Sequence, residues 1–253
     1  MTVRDPTPLR RLLFKWYGIH GRALPWRVST HEHPDPYRVW VTEVMLQQTR
    51  VVTATPFIQA FLGRWPTVQR LAAAPLGDVL AAWAGLGYYA RARNLHRCAK
   101  TVAGDLGGAF PDTESGLRAL PGVGPYTAAA IAAIAFGRQT AAVDGNVKRV
   151  LARLYGIQTP LPDAIPDLRD LADALVPARR PGDWAQAIMD LGATICTPRR
   201  ASCGVCPWSR DCAAHAQGLA NELPRRASAV ARPTRHGAAF WLTRAGGAVL
   251  LRR

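Results

Sequence analysis

Apolar positions along the chain recur mostly at three- and four-residue intervals, the period of a helix with one buried face. Pro8 can open the first such stretch, which sets Leu9, Leu12, Leu13, Trp16 and Tyr17 on one side. Asp35-Pro36 supplies a cap and a first-turn proline for a second, with Val39, Trp40, Val44 and Met45 as its apolar side. The same pattern predicts helices over about 76–84, 89–105, 113–119, 126–136, 146–155, 165–175 and 184–195. Strand-like runs are confined to Ala238–Thr243 and Ala248–Leu251, around the turn signal Gly246-Gly247. The expected fold is therefore all-α with a short C-terminal β-hairpin fragment. A lone hairpin is marginal in water, so this one reads as the opening of a further domain.

Charge adds a partner to this picture. The 253 residues include 32 Lys and Arg against 17 Asp and Glu, a net charge of +15. Such an excess suits a polyanion, because each neutralised phosphate releases condensed counterions. The longest apolar run, Ala128 to Phe136, is far shorter than the roughly 20 residues a membrane-spanning helix needs. No apolar signal core follows Met1, so the expectation is a cytoplasmic, bacterial, monomeric protein with no membrane partner.

Four of the five cysteines, Cys196, Cys203, Cys206 and Cys212, fall within 17 residues in the spacing C-x6-C-x2-C-x5-C. In a reducing compartment such a cluster points to metal rather than disulfides. Thr197-Pro198, Gly204 and Pro207 supply the turns that wrap the segment around a common point. Four soft thiolates complete either a zinc or an iron–sulfur site. Only Cys203 and Cys206 have the paired spacing usual for zinc, so iron–sulfur is the stronger reading. Cys98 stands apart in a helical pattern and reads as a small core residue.

Between two expected helices lies Leu120-Pro-Gly-Val-Gly-Pro-Tyr-Thr127. Gly122 and Gly124 permit close backbone approach, and the free amides of the following helix offer an anion site. Alone, two spaced glycines describe any interhelical turn. The full string resembles the helix-hairpin-helix motif, which grips a DNA backbone without reading bases.

Val143-Asp-Gly-Asn-Val147 follows about twenty residues later, and then the four cysteines. This layout resembles the endonuclease III superfamily of DNA glycosylases. Leu24-Pro-Trp-Arg27, Trp40 to Thr49 and Gly85 to Asn94 look like the MutY family of adenine glycosylases within it. The likeness runs from about residue 8 to 224. It implies a six-helix barrel over 26–137 and a cluster lobe built from 1–25 and 138–218, with the DNA site in the cleft between them. A linker over 219–236 and a fragment resembling a Nudix-type domain over 237–253 complete the expected plan. A 4Fe–4S cofactor and double-stranded DNA carrying adenine opposite 8-oxoguanine or guanine are implied. The short C-terminal part suggests poor discrimination between those two purines.

The residues suit that chemistry. Adenine leaves readily only after a ring nitrogen is protonated, so the site needs a carboxylic acid that is neutral near pH 7. Glu43 sits among Trp40, Val44, Met45 and Leu46, where desolvation raises a carboxyl group. Asp144 matches the family's second, ionised carboxylate, which stabilises or traps the sugar cation. Asp-Gly-Asn is also an ordinary turn and helix cap, and Glu43 read alone is an ordinary glutamate. Tyr126 and Asn146 match residues that orient the pair. Bifunctional relatives carry a lysine where Tyr126 stands, so the resemblance implies hydrolysis to an abasic site without strand cleavage. Gln47, Gln48, Thr49, Leu86 and Tyr88 match positions that contact or wedge the duplex once the base is flipped. Trp26, Arg27, Leu46 and Val51 match the adenine pocket, although Leu46, Val51 and Leu86 are also ordinary core types. Gln186 falls near a further pocket position. A G·T-mismatch thymine glycosylase, or a non-enzymatic iron–sulfur DNA-binding protein, fits part of the same pattern.

Overall fold

A computed structural model describes residues 5–28 and 34–227, with isolated positions from 234 to 249. The described residues form α1 (Thr7–His20), α2 (Pro36–Leu46), α3 (Val51–Arg64), α4 (Val68–Ala73), α5 (Leu76–Ala82) and α6 (Ala90–Gly104). They continue with α7 (Glu114–Arg118), α8 (Pro125–Phe136), α9 (Gly145–Leu154), α10 (Ile165–Leu175), α11 (Pro181–Thr194) and α12 (Ala213–Ala216). A single 3-10 turn covers Cys203–Val205. The protein is all-α.

Local chemistry explains several helix starts. The Asp35 side chain accepts from the Tyr37 amide, Thr67 caps α4 and Thr113 caps α7. The α3 helix has no counterpart among the sequence expectations, because Pro56 interrupts its interior. Proline there removes the hydrogen bond to the carbonyl one turn back, a cost of about 3 kcal/mol. Burial of Ala54, Ile58, Phe61 and Leu62 offsets it, at about 1.5–3 kcal/mol per large apolar side chain.

Two large clusters of buried side chains organise these helices. One joins α2 through α8 around Trp40, Ile58, Phe61, Trp83 and Leu95. The other packs α1 against α9, α10 and α11 around Leu13, Leu151, Leu168, Leu191 and Trp208. Helix α8 belongs to both surroundings: it packs on α2 and α7 and also on α11. Its Ala128–Ala133 stretch is buried throughout, as expected of a helix that is apolar on all sides. Ala129, Ala130 and Ala133 meet Ala142 and Ala185 in a third, small cluster. These short side chains let backbones approach closely. At Gly182, the second residue of α11, a Cβ would stand 2.9 Å from both the Ala133 carbonyl oxygen and the Ile134 Cα.

The segment expected to begin a linker at 219 is docked instead. Leu223 is buried, the Leu161 N–H donates to the Arg225 carbonyl at 2.9 Å, and the Ala227 N–H donates to the Leu161 carbonyl at 3.0 Å. This backbone pairing, together with an apolar anchor, holds the chain to the second cluster as far as Ala227. Of the expected C-terminal hairpin, Thr243 and Val249 form one antiparallel bridge across Gly246-Gly247. The rest of that hairpin falls partly outside the described residues. Among the described residues no helix is long and apolar enough to cross a membrane.

Because Gly182 meets backbone rather than a flexible side chain, Gly182→Ala is expected to lower stability by about 1–3 kcal/mol. Thermal unfolding checks this, and an unchanged melting temperature would show that α8 and α11 can part without cost.

Candidate active site

A cavity of about 520 Å³ opens between α2, α8, α11 and the chain segments that lead into α2 and α9. Glu43 reaches it from α2, Tyr126 from the first turn of α8, and Asp144 and Asn146 from the start of α9. The Tyr126 hydroxyl donates to Glu43 Oε2 at 2.8 Å and lies 3.5 Å from Met189 Sδ. Asn146 Nδ2 donates to Asp144 Oδ2 at 2.8 Å. The other Asp144 oxygen accepts from the Val147 amide at 2.8 Å. Asp144 is therefore both the N-cap of α9 and a wall of the cavity; its capping role locks the carboxylate in place.

Glu43 is surrounded by protein, and the surface it keeps faces the cavity. Burial pushes its carboxyl up to about 7 from 4.5. The Tyr126 hydrogen bond opposes that rise, the nearby Asp144 charge adds to it, and Arg27 opposes it again. Desolvation dominates, as it does for any carboxyl held away from bulk water. Burial raises the Tyr126 hydroxyl well above its ordinary value, and the two carboxylates add to the effect. Tyr126 thus stays a donor.

Trp26, Arg27, Leu46, Thr49 and Val51 all line the same cavity, as does Gln186. Arg27 is held by Asp190, a fully buried residue of α11. Asp190 and its partner Arg22 went unnoticed in the sequence, because an Asp in an amphipathic helix carries no signal of the arginines folded onto it.

Gln47, Gln48, Leu86 and Tyr88 lie apart from the cavity, on the loops after α2 and before α6. Gln47 Nε2 donates to Thr127 Oγ1 at 3.0 Å. Gln48 and Tyr88 have positive φ, 57° and 47°, which costs a residue with a Cβ about 1–3 kcal/mol. Tyr88 is exposed and Leu86 is not: at 6% exposure it packs in the first core. Arg91 joins the two loops. Its Nη1 donates to the carbonyls of Val44 at 3.2 Å and Met45 at 3.3 Å, and to that of Gln47. Its Nη2 donates to the Leu86 carbonyl at 3.1 Å. A lone arginine in an arginine-rich stretch gave no hint of this.

In the hairpin before α8, Gly122 has φ 76°, and a Cβ there would stand 2.6 Å from Asn94 Cβ, so glycine is required by conformation and space together. Gly124 is extended, caps α8, and borders open space.

The cysteine loop is linked to the cavity more directly than its distance along the chain suggests. Arg149 Nη2 donates to Asn146 Oδ1 at 2.8 Å and to the Gly192 carbonyl at 2.6 Å, while its Nε donates to the Cys196 carbonyl at 2.7 Å. One side chain thus spans from the partner of Asp144 to the first cysteine. Gly192 is part of this seat, since a Cβ there would lie 2.6 Å from Asn146 Cβ. One turn further along α9, buried Arg153 donates to the Thr197 carbonyl at 2.8 Å and lies 3.2 Å from Cys196 Sγ. The Cys212 thiol donates to the Arg153 carbonyl at 3.3 Å. Burial pushes the Cys206 thiol up to about 11; a Trp208 backbone hydrogen bond opposes this, and the Cys196, Cys212 and Cys203 sulfurs raise it further. The four sulfurs therefore feel one another. Among the described residues no three metal-binding side chains converge tightly enough to hold a single ion.

Fold and site together define a two-core helical protein that carries a buried acid, an anchored second carboxylate and a glycine hairpin beside one cleft. The model of the HhH-GPD superfamily of base excision DNA repair proteins matches residues 41–172, and the chain belongs to that superfamily. The rat adenine DNA glycosylase is 47% identical over 232 residues, which cover 88% of this chain and 45% of that protein. The human adenine DNA glycosylase is 47% identical over 219 residues, covering 84% and 40% respectively. The chain thus spans less than half the length of these two relatives. Among solved structures, a thermostable thymine-DNA glycosylase superposes with a TM-score of 0.74 at 28% identity, covering 84% of this chain and 97% of that one.

Arg91→Met removes several hydrogen bonds and leaves carbonyls of two strained loops unpaired, so a loss of about 2 kcal/mol is expected. Faster amide hydrogen exchange confined to 47–49 and 85–88 would accompany it; uniform exchange across the protein would contradict the clamp.

Proposed function

We propose that this protein is a monofunctional DNA glycosylase that hydrolyses the N-glycosidic bond of adenine mispaired with 8-oxoguanine or guanine, leaving an abasic site. The observation that carries this reading is the pairing of Glu43, raised to about 7, with the anchored Asp144 in one cavity. Glu43 donates its proton to a ring nitrogen of the flipped base, which turns adenine into a neutral leaving group. Asp144 stabilises the positive charge that develops on the sugar, and water completes the reaction. Tyr126 orients Glu43, and Asn146 orients Asp144. Tyr126 has no amine with which to form a Schiff base, hence no strand cleavage. Trp26, Arg27, Leu46 and Val51 enclose the base. Gln47, Gln48, Thr49 and Tyr88 face the duplex, and the open space beside Gly124 leaves room for a phosphate at the head of α8.

The partner is double-stranded DNA, supported by the +15 charge. The barrel lobe is 26–137, and the second lobe is 1–25 with 138–218, to which the chain as far as Ala227 is docked; the two separate cores support this division. Cys196, Cys203, Cys206 and Cys212 hold a 4Fe–4S cluster. The donor set fits: the four sulfurs lie near enough to influence one another, and the buried Arg153 guanidinium stands 3.2 Å from Cys196 Sγ, where its charge suits a thiolate. A cubic cluster keeps its four sulfurs apart, whereas one zinc ion draws them to about 2.3 Å from a single point. When bound, the cluster supplies a rigid charged anchor for the loop; Arg149 and Arg153 tie that loop to α9.

Duplexes carrying A·8-oxoguanine, A·G and T·G, treated with the protein and then with alkali, test the activity. Cleavage at adenine in the first two is expected, and cleavage at thymine alone would transfer the reading to a thymine glycosylase. The rate should fall as pH rises through about 7, because the active form of Glu43 is the protonated one. Glu43→Gln should lose at least about 100-fold in rate. The same variant should be more stable than the parent at pH 8. The folded value of about 7 exceeds the unfolded 4.5, so the parent loses stability between those pH values and the glutamine variant does not. That gain, on the order of 2 kcal/mol after allowing for water in the cavity, should shrink as pH drops from 7 toward 4.5.

Purified aerobically, the protein should absorb in the visible blue and contain about four irons and four sulfides per chain. Stoichiometric zinc without that absorbance would overturn the cluster. Cys203→Ser should lower the melting temperature and DNA affinity together.

A further inference from the structure

Asp190 lies on α11 with no exposed surface, and none of the chemistry above uses it. Its carboxylate is nonetheless fully engaged. Oδ2 accepts the Arg22 backbone amide at 2.9 Å and Arg27 Nη1 at 2.7 Å. Oδ1 accepts Arg22 Nε at 2.6 Å and Arg27 Nη2 at 2.8 Å. Arg27 is thus gripped along one edge, and its Nη1 also donates to the Arg22 carbonyl at 3.0 Å. The side chain of Arg27 is 14% exposed and lines the cavity, whereas that of Arg22 is 29% exposed and better screened by water.

A guanidinium cannot shed its charge. Standing alone on the cavity wall, it favours the ionised form of any carboxyl nearby. Glu43 is such a carboxyl, and the reaction requires it to be protonated. Pairing Arg27 with a buried anion replaces a bare charge with a dipole, whose field falls off faster. Burial alone would raise the Asp190 carboxyl, but the Arg27 hydrogen bond and charge, with the Arg22 amide, hold it below the usual carboxylate range. Asp190 therefore remains an anion wherever the protein is folded and active.

We propose that Asp190 is a positioning residue for excision: it fixes the Arg27 guanidinium against α11 and offsets part of its charge, so that Glu43 still carries a proton when the base arrives. This rests on the reading of Glu43 as the acid. The charged and titratable groups that face Glu43 are Tyr126 from α8, Asp144 from the head of α9, and Arg27 from the segment before α2. Arg22, Arg180 and Asp183 line the outer cavity, and the last two pair with each other at 2.7 Å.

The test follows Glu43 directly. The chain has four glutamates, so carboxyl-carbon NMR on glutamate-labelled protein gives few signals, and Glu43→Gln identifies the one from residue 43. Asp190→Asn is expected to move that titration down by about one pH unit. Under single-turnover conditions the alkaline limb of adenine excision should move with it, lowering the rate at pH 8 about tenfold. Asp190→Glu, which keeps the charge, should restore both. A purely structural Asp190 would instead lower the rate by one factor at every pH with the titration unmoved, and that result overturns the proposal. If Asp190→Asn does not fold, the decision passes to Arg27→Gln and the double variant Arg27→Gln/Asp190→Asn, in which only the better-hydrated Arg22 is left without its anion. The single change should raise the Glu43 titration and the double should bring it back toward the parent value; coincidence of the two overturns the proposal. The NMR arm does not depend on which base is removed. A shifted Glu43 without excision on any duplex would therefore defeat the adenine reading and leave the role of Asp190 standing.

Discussion

Close packing around α8 is the constraint on which the site depends. A helix whose buried positions are mostly alanine, where most helices carry leucine, lets its neighbours come near its backbone, and Ala133 and Ile134 receive the start of α11 with no room for a Cβ at Gly182. With α2 packed on another side of α8, Glu43 comes within hydrogen-bonding reach of Tyr126. With α11 packed as it is, Asn146 fits over Gly192 and Asp144 is held at the same cavity. Larger side chains on α8 would separate the two cores, and the acid pair with them.

Desolvation then does the chemical work. Glu43 and Asp144 are both carboxylic acids, yet the protein gives them opposite surroundings. One is walled by apolar side chains and offered a single hydroxyl; the other accepts an amide and a carboxamide at a helix start. That asymmetry sets two unlike carboxyl groups side by side in one cavity. Arginines tie this arrangement to the rest of the molecule: Arg27 to α11, Arg91 to the two strained loops, and Arg149 and Arg153 to the cysteine segment. Much of the charge excess faces outward, but these four are structural fasteners, each using its several donors to satisfy backbone carbonyls or carboxylates.

The relatives and the solved structures agree with this economy. Similarity to adenine glycosylases is spread over more than four-fifths of this chain, though over less than half of theirs. The fold is also shared with a thymine-DNA glycosylase, so the helical frame by itself does not single out one base.

Much of this was legible in the sequence. Helical periodicity located most of the helices, the Asp35 and Asp144 caps were readable as residue patterns, and the cysteine spacing announced a thiolate centre, because each is a local property of a few consecutive residues. Other features were decided only by tertiary structure. Burial overrode Pro56 in α3, and it set Leu86 into the edge of the first core. The tail to Ala227 docked instead of linking. Asp190, Arg91 and Arg149 acquired roles through partners that can be more than a hundred residues away. The reason is physical. Propensity, capping and ligand type are set by neighbours in the chain, whereas desolvation and charge pairing depend on what packs across space. The sequence by itself determined which groups could act as acid, anion and thiolate ligand; only the packing of α2, α9 and α11 around α8 decided which carboxyl would be dry enough to keep its proton.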